Sequence, residues 1–132
     1  MTIVSLVQMN VQKGAPTINW RTAQAHVAEA SRRGAQVVVF PELWDAGVAY
    51  DKAKDIASPL NGGLFAQVVA LARQHNIYII GSMFEKRGTG VYNTMAVIGP
   101  REGVLGAYRK IHLFPPMKEP QYILPGETPL SI

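Results

Sequence analysis

The sequence contains no cysteine among its 132 residues. That absence excludes disulfide bonds, thiolate metal sites, iron–sulfur clusters and a cysteine nucleophile supplied by this sequence. Long apolar runs are missing as well, because stretches such as residues 37–40 and 77–80 are far shorter than the roughly 20 residues that span a bilayer. The N-terminal Met1-Thr2-Ile3 lacks the basic start of a signal peptide, so we expect no membrane partner and a cytoplasmic location.

Charge is sparse, and what there is does not cluster. Hydrophobic residues make up 48% of the chain and charged residues 17%, a composition typical of a folded domain. Thirteen Lys and Arg against nine Asp and Glu give a net charge of +4, but basic pairs such as Arg32-Arg33 are scattered without an aromatic stripe beside them. The three histidines have no metal-ligand spacing. We therefore expect no nucleic-acid partner, no metal and no cofactor.

The hydrophobic pattern predicts an α/β domain with a mixed sheet. Strands are predicted at residues 3–10, 37–40, 77–84, 91–98 and 104–108, with helices at residues 18–33 and 63–75. The first three strands alternate with the two helices, which favours parallel pairing, and the hairpin-type turns after them favour antiparallel pairing. The long stretch 45–62 carries turn residues and one short helical turn at 51–56, as functional loops often do.

The end of the sequence resembles the beginning of another strand. Between Arg109 and Gly126 four prolines predict a long ordered loop, and residues 130–132 then resume apolar–polar–apolar alternation. We therefore expect one domain, residues 1–132, that is apparently incomplete at its C-terminus. Residues 37–40 show no polar alternation, the pattern of a strand covered on both faces, yet two helices cover only one. This favours a homo-oligomer or a complementing C-terminal half that covers the other face.

Three charged side chains could carry chemistry. Glu42 directly follows a buried strand, where ligands gather in α/β sheets, so it is either a general base or a loop carboxylate paired with a basic residue. Lys110 follows the last strand and is either a stabiliser of a substrate oxyanion or an ordinary surface lysine. Glu119 alone is most simply a solvated loop acid.

The motifs in succession resemble one family along the whole chain. Residues 38–44 (VVFPELW), 92–94 (YNT) and 108–114 (YRKIHLF), followed by Glu119 ahead of Pro125-Gly126, resemble the nitrilase superfamily of carbon–nitrogen hydrolases. The resemblance implies the N-terminal half of an α-β-β-α sandwich, with its two main helices on one face of the sheet. It also implies hydrolysis of a nonpeptide carbon–nitrogen bond in a small amide, carbamoyl compound or nitrile.

The same resemblance implies roles for individual residues. Glu42 corresponds to the general base, Lys110 to the cation that stabilises the oxyanion, and Glu119 to a supporting second glutamate. Trp44 and Tyr50 lie in the loop after Glu42 and are candidates for lining the substrate pocket, although aromatic loop packing is an equal alternative. The family's cysteine nucleophile is absent, so we predict that the isolated chain is inactive.

Two other functions remain open at this stage. A half-length pseudoenzyme could bind a small molecule or a partner in the same pocket without turnover. A generic α/β ligand-binding domain would leave Glu42 and Lys110 far apart, whereas the hydrolase hypothesis predicts that both face one cavity near hydrogen-bonding range.

Overall fold

The computed structural model describes residues 1–131 as a five-stranded mixed sheet with helices. The strands are β1 (Val4–Leu6), β2 (Val37–Val39), β3 (Tyr78–Arg87), β4 (Gly90–Gly99) and β5 (Gly103–Arg109), and the helices are α1 (Pro16–Arg32), α2 (Ala53–Ile56) and α3 (Gly63–His75). The strands lie side by side in chain order. The pairs β1–β2 and β2–β3 are parallel, whereas β3–β4 and β4–β5 are antiparallel, so the predicted mixed α/β sheet is confirmed.

The two long helices form where the apolar spacing predicts them. Helix α1 begins at Pro16, whose fixed backbone suits the first helical position, and α3 ends at Asn76, which takes the left-handed conformation with φ of 50°. The first helix buries Ala23, Val27 and Ala30 at three- and four-residue steps. Both helices therefore present one apolar stripe to the sheet.

Both stripes pack on the same face of the sheet. Val38 of β2, Ile79 of β3 and Ile98 of β4 belong to one core cluster with Val27 of α1 and Phe65 of α3. Each of these five side chains is at most 2% exposed. The helices and the sheet thus form two layers of a sandwich, with the core between them.

The other face of the sheet is open along β1 and β2, whereas its part around Phe84 is covered by a second core cluster. Leu6 of β1 is 75% exposed and Val4 is 50% exposed, and Tyr78 and Met95 on neighbouring strands are also exposed. In β2 only Val38 is fully buried, while Val37 and Val39 are partly exposed. The expectation that the two long helices leave the other face without a helical layer is met in residues 1–131, although loop residues cover part of that face. No helix among these residues is long and apolar enough to cross a membrane.

Several element boundaries differ from the sequence-based ones. β1 is only three residues long because β2, its one partner strand, is itself three residues long. β3 extends to Arg87 because its hairpin with β4 continues to the turn. Short 3₁₀ turns occur at Tyr50–Lys52, Pro115–Met117 and Glu119–Gln121, within stretches expected to be loops. Of the strand expected at 130–132, residues 130 and 131 are not in a strand, and Ile132 lies outside the described residues.

Candidate active site

Glu42 lies three residues past Val39, at the carboxyl end of β2. Pairing with β3 continues one residue past the strand, where the amide of Phe40 donates to the carbonyl of Ile80 (2.8 Å). Pro41 then ends the pairing because it has no backbone N–H to donate. Leu43 follows in the left-handed conformation with φ of 47°, so the chain turns sharply just after Glu42. The backbone on both sides of Glu42 is therefore fixed, and with it the position of this residue at the end of β2.

β5 and the loop after it place Lys110 and Glu119 beside Glu42. The amide of Lys110 donates to the carbonyl of Asn93 (2.9 Å), which continues the β4–β5 pairing beyond Arg109. The amide of Gly126 donates to the carbonyl of Lys110 (2.9 Å), and a β-carbon at Gly126 would lie 2.2 Å from the Arg109 carbonyl oxygen. Only glycine fits there, so the returning loop clamps the backbone beside Lys110.

The three charged side chains meet at one ammonium group. Lys110 Nζ lies 2.9 Å from Glu42 Oε1 and 3.0 Å from Glu119 Oε2. The side chains of Glu42, Lys110 and Glu119 are 58%, 26% and 0% exposed, respectively. Glu119 Oε2 also accepts a hydrogen bond from the amide of Phe114 (2.7 Å). The cluster is thus anchored on its buried acid and open to solvent at Glu42.

Asn93 is a member of this cluster that the sequence analysis did not assign to the site. Its Nδ2 atom donates to Glu42 Oε1 (2.7 Å) and lies 3.5 Å from Glu119 Oε1. The signal was present, because Asn93 stands in the motif at residues 92–94, but a motif match alone does not tell what the amide holds. Glu42 Oε1 accepts from both Lys110 and Asn93, and no hydrogen bond from residues 1–131 reaches Oε2.

The neighbouring charges set the protonation of Lys110. Burial disfavours its charged form, but hydrogen bonds to Glu42 and Glu119 outweigh that effect and raise the pKa of Lys110 above its usual value. Lys110 is therefore an ammonium ion at neutral pH. This one ammonium is shared by two carboxyl groups.

A cleft of about 330 Å³ opens beside the cluster. Glu42, Lys110 and Asn93 supply its polar wall, and the apolar lining includes Phe40 and Met95. Such a cleft has an apolar body and a few converging polar groups, as small-molecule sites do. Among residues 1–131, no cluster of His, Asp or Glu is arranged to hold a metal ion.

The structure places the two candidate pocket aromatics away from the lining of this cleft. Trp44 packs in the helix-side core, with ring centroids 4.9 Å from Phe40 and 6.2 Å from Trp20. A molecule in the cleft would therefore meet Phe40 rather than Trp44. Tyr50 packs edge-on against Phe84 in a second core cluster. Burial, followed by the charge of Glu119, raises the pKa of Tyr50 to about 12.

Comparison with known proteins gives one family throughout. A family model described as carbon-nitrogen hydrolase matches residues 3–130. A nitrilase of Pyrococcus abyssi is 39% identical over 131 residues, which cover 96% of this chain and 49% of the relative. An omega-amidase of Danio rerio is 36% identical over 112 residues, which cover 84% of this chain and 40% of the relative.

The fold agrees with these sequence matches. The crystal structure of a CN-hydrolase superfamily protein from Xanthomonas campestris superposes with a TM-score of 0.88 at 25% identity. The superposition covers 98% of this chain and 48% of that protein. The chain thus spans about half the length of the curated relatives it matches, or less.

Proposed function

The chain belongs to the carbon-nitrogen hydrolase family, and on that premise we propose that it supplies the Glu–Lys part of an active site that hydrolyses a nonpeptide carbon–nitrogen bond. The substrate class is a small amide, carbamoyl compound or nitrile. One observation carries the proposal: Lys110 Nζ lies within 3.0 Å of both Glu42 and Glu119 at the mouth of a cleft. Side chains that are 68 and 9 residues apart meet there, which a scattered set of surface charges would not do.

Each side chain has a role that its surroundings support. Glu42 takes the proton of a cysteine thiol on its free Oε2 atom, and the thiolate attacks the carbonyl or nitrile carbon of the substrate. Lys110, charged and aimed at the cleft, stabilises the negative charge that develops on the substrate heteroatom. Glu119 is buried and holds Lys110 in place. With an amide, ammonia or an amine leaves with the proton from Glu42; with a nitrile, water first adds to the thioimidate, which then expels ammonia. In both cases the resulting thioester is hydrolysed by water, which releases the acid.

The nucleophile is the part that these 132 residues do not supply. The sequence has no cysteine, so the chain by itself is inactive in this proposal. The open sheet face, on which Leu6 is 75% exposed, supports a second layer made either by a complementing C-terminal half or by another copy of the chain. Size-exclusion chromatography distinguishes the two, because only self-association makes the isolated chain a dimer.

The experiment uses a cysteine-containing full-length form, made by joining this chain to the C-terminal half of the Pyrococcus abyssi relative. We expect the isolated chain to release no ammonia from a panel of small amides and nitriles, and the joined form to release it. Glu42→Gln and Lys110→Met should each abolish turnover with an unchanged circular dichroism spectrum. The matched controls Glu102→Gln and Lys54→Met change exposed residues outside the cleft and should retain activity. Activity in the Glu42→Gln form would contradict the general-base role, and binding without turnover by the wild-type joined form would favour a pseudoenzyme.

A further inference from the structure

Strand β3 is longer than its parallel neighbour, and a side chain completes its edge. β2 ends at Val39, whereas β3 continues to Arg87, so β3 has backbone groups on that side with no strand to pair with. Ser58 pairs with part of this edge, donating its amide to the carbonyl of Phe84 (3.3 Å). The amide of Phe84 donates instead to Asp45 Oδ2 (3.3 Å). A buried backbone N–H needs such an acceptor, and here a carboxyl group takes the place of a strand.

We propose that Asp45 is a positioning residue for Glu42. After Glu42, the loop is tied to β3 at two points, through the amide of Leu43 to Ser82 Oγ (2.8 Å) and through Asp45 to the amide of Phe84. The amide of Gly47 donates to the carbonyl of Leu43 (2.7 Å), which closes a tight turn that contains Asp45. Asp45 therefore supplies one of the two anchors that hold the loop after Glu42 on β3.

The second anchor point lies opposite the residue that holds the Glu42 carboxylate. Phe84 on β3 is the direct cross-strand partner of Asn93 on β4. Asn93 Nδ2 in turn donates to Glu42 Oε1 (2.7 Å). The Glu42 loop is thus fixed twice to the same cross-strand pair. Asp45 binds Phe84, and the Glu42 carboxylate binds Asn93. Releasing Asp45 lets the Glu42 loop move relative to Asn93 and lengthens the contact between their side chains.

The surroundings of Asp45 contain hydrogen-bond donors but no paired charge. The residue is 1% exposed, and its Oδ1 atom has no hydrogen-bond partner. From α1, the uncharged Asn19 donates Nδ2 to the backbone carbonyl of Asp45 (2.8 Å), and from β3 only the amide of Phe84 reaches its carboxyl group. No ion pair involves Asp45 among residues 1–131. Burial raises the pKa of Asp45 to about 7, and the hydrogen bond from the Phe84 amide offsets part of that rise. The strength of this acceptor therefore changes near neutral pH.

The first test follows two NMR signals of the 132-residue chain across neutral pH, the backbone amide of Phe84 and the side-chain amide of Asn93. In the wild-type chain both should shift with one common midpoint near 7, and in Asp45→Asn neither should show that transition. An Asn93 signal that stays constant while Phe84 titrates would overturn the proposal. A shared transition that persists in Asp45→Asn would also overturn it, since another group would then be responsible.

The second test removes the acceptor. Asp45→Ala should lose the nuclear Overhauser contact between the Asn93 side-chain amide and Glu42, whereas Asp45→Asn, whose amide oxygen still accepts from Phe84, should keep it. Val27→Ala, a cavity in the α1 core, is the matched control for general destabilisation and should also keep it. A retained contact in Asp45→Ala, or an equal loss in Val27→Ala, would refute positioning by Asp45. The assignment of a role to Glu42 rests on the proposed function, but both tests measure where Glu42 is held and not turnover, so the two can fail separately.

Discussion

Replacing Asp45 by asparagine isolates the energetic effect of one buried carboxyl group on folding. The wild-type side chain is 1% exposed and has one oxygen without a hydrogen-bond partner. Burial raises its pKa from the ordinary value of 3.8 to about 7 in the folded chain. Asparagine has nearly the same shape and can still accept from the Phe84 amide, but it does not titrate.

The raised pKa means that the folded chain holds this proton more tightly than the unfolded chain does. Below pH 3.8 Asp45 is protonated in both states, and its contribution to stability is fully present. As the pH rises from there to about 7, the unfolded chain has lost the proton while the folded chain keeps it, so stability falls. A shift of about three pKa units at about 1.4 kcal/mol each gives a loss of about 4 kcal/mol. Above pH 7 this contribution stays constant.

Urea unfolding monitored by the fluorescence of Trp20 and Trp44 measures the effect. We expect the free energy of unfolding of Asp45→Asn minus that of wild type to rise by about 3 to 4 kcal/mol between about pH 4.5 and about pH 8. Every other ionisable group is present in both proteins, so its contribution cancels in the difference. A difference that is constant over this range would refute the reasoning, because it would mean that Asp45 is ionised and satisfied in the folded chain.

Two further substitutions test the packing and the ion pairs of the sheet by urea unfolding. In Gly81→Ala the new β-carbon would lie 2.8 Å from Trp44 Nε1 and 2.9 Å from Phe40 Cβ, so we expect a loss of about 1–3 kcal/mol, and an unchanged stability would contradict the tight helix-side packing. Glu85→Ala removes the buried partner of Arg109 Nη2 (2.6 Å) and should cost about 3 kcal/mol, and a loss below about 1 kcal/mol would show that this pair is as weak as an exposed one.

Hydrophobic periodicity predicted best those helices and strands whose bounds are set by residues within the segment itself. Helix α3 has the predicted bounds, Gly63–His75, because one apolar stripe and the left-handed Asn76 define its length within the segment itself. The length of β1 depends on what lies beside it, since only β2 pairs with it, and the sequence of residues 3–10 carries no record of that. The 3₁₀ turn at Glu119 likewise depends on Lys110 and Phe114, which its own residues do not reveal.

The site divides in the same way. Glu42, Lys110 and Glu119 could be found from the sequence because each stands in a motif, and the structure brings all three together. Asn93 is uncharged and Asp45 is buried, and the contacts that both make depend on which strands pair, which the sequence does not state. Trp44 follows Glu42 by two residues, yet the sharp turn at Leu43 sends it into the helix-side core. Sequence distance from Glu42 is therefore a poor guide to distance from the cleft.

Two carboxyl groups, those of Glu42 and Glu119, share a single ammonium beside the cleft. Under the proposed hydrolysis, the amide that enters is uncharged, whereas the acid that remains is an anion at neutral pH. Like charges a few ångströms apart repel, and they do so more strongly in a partly dry cleft than in bulk water. The side chains that prepare the reaction would thus also expel its finished product, which keeps inhibition by the accumulating acid weak.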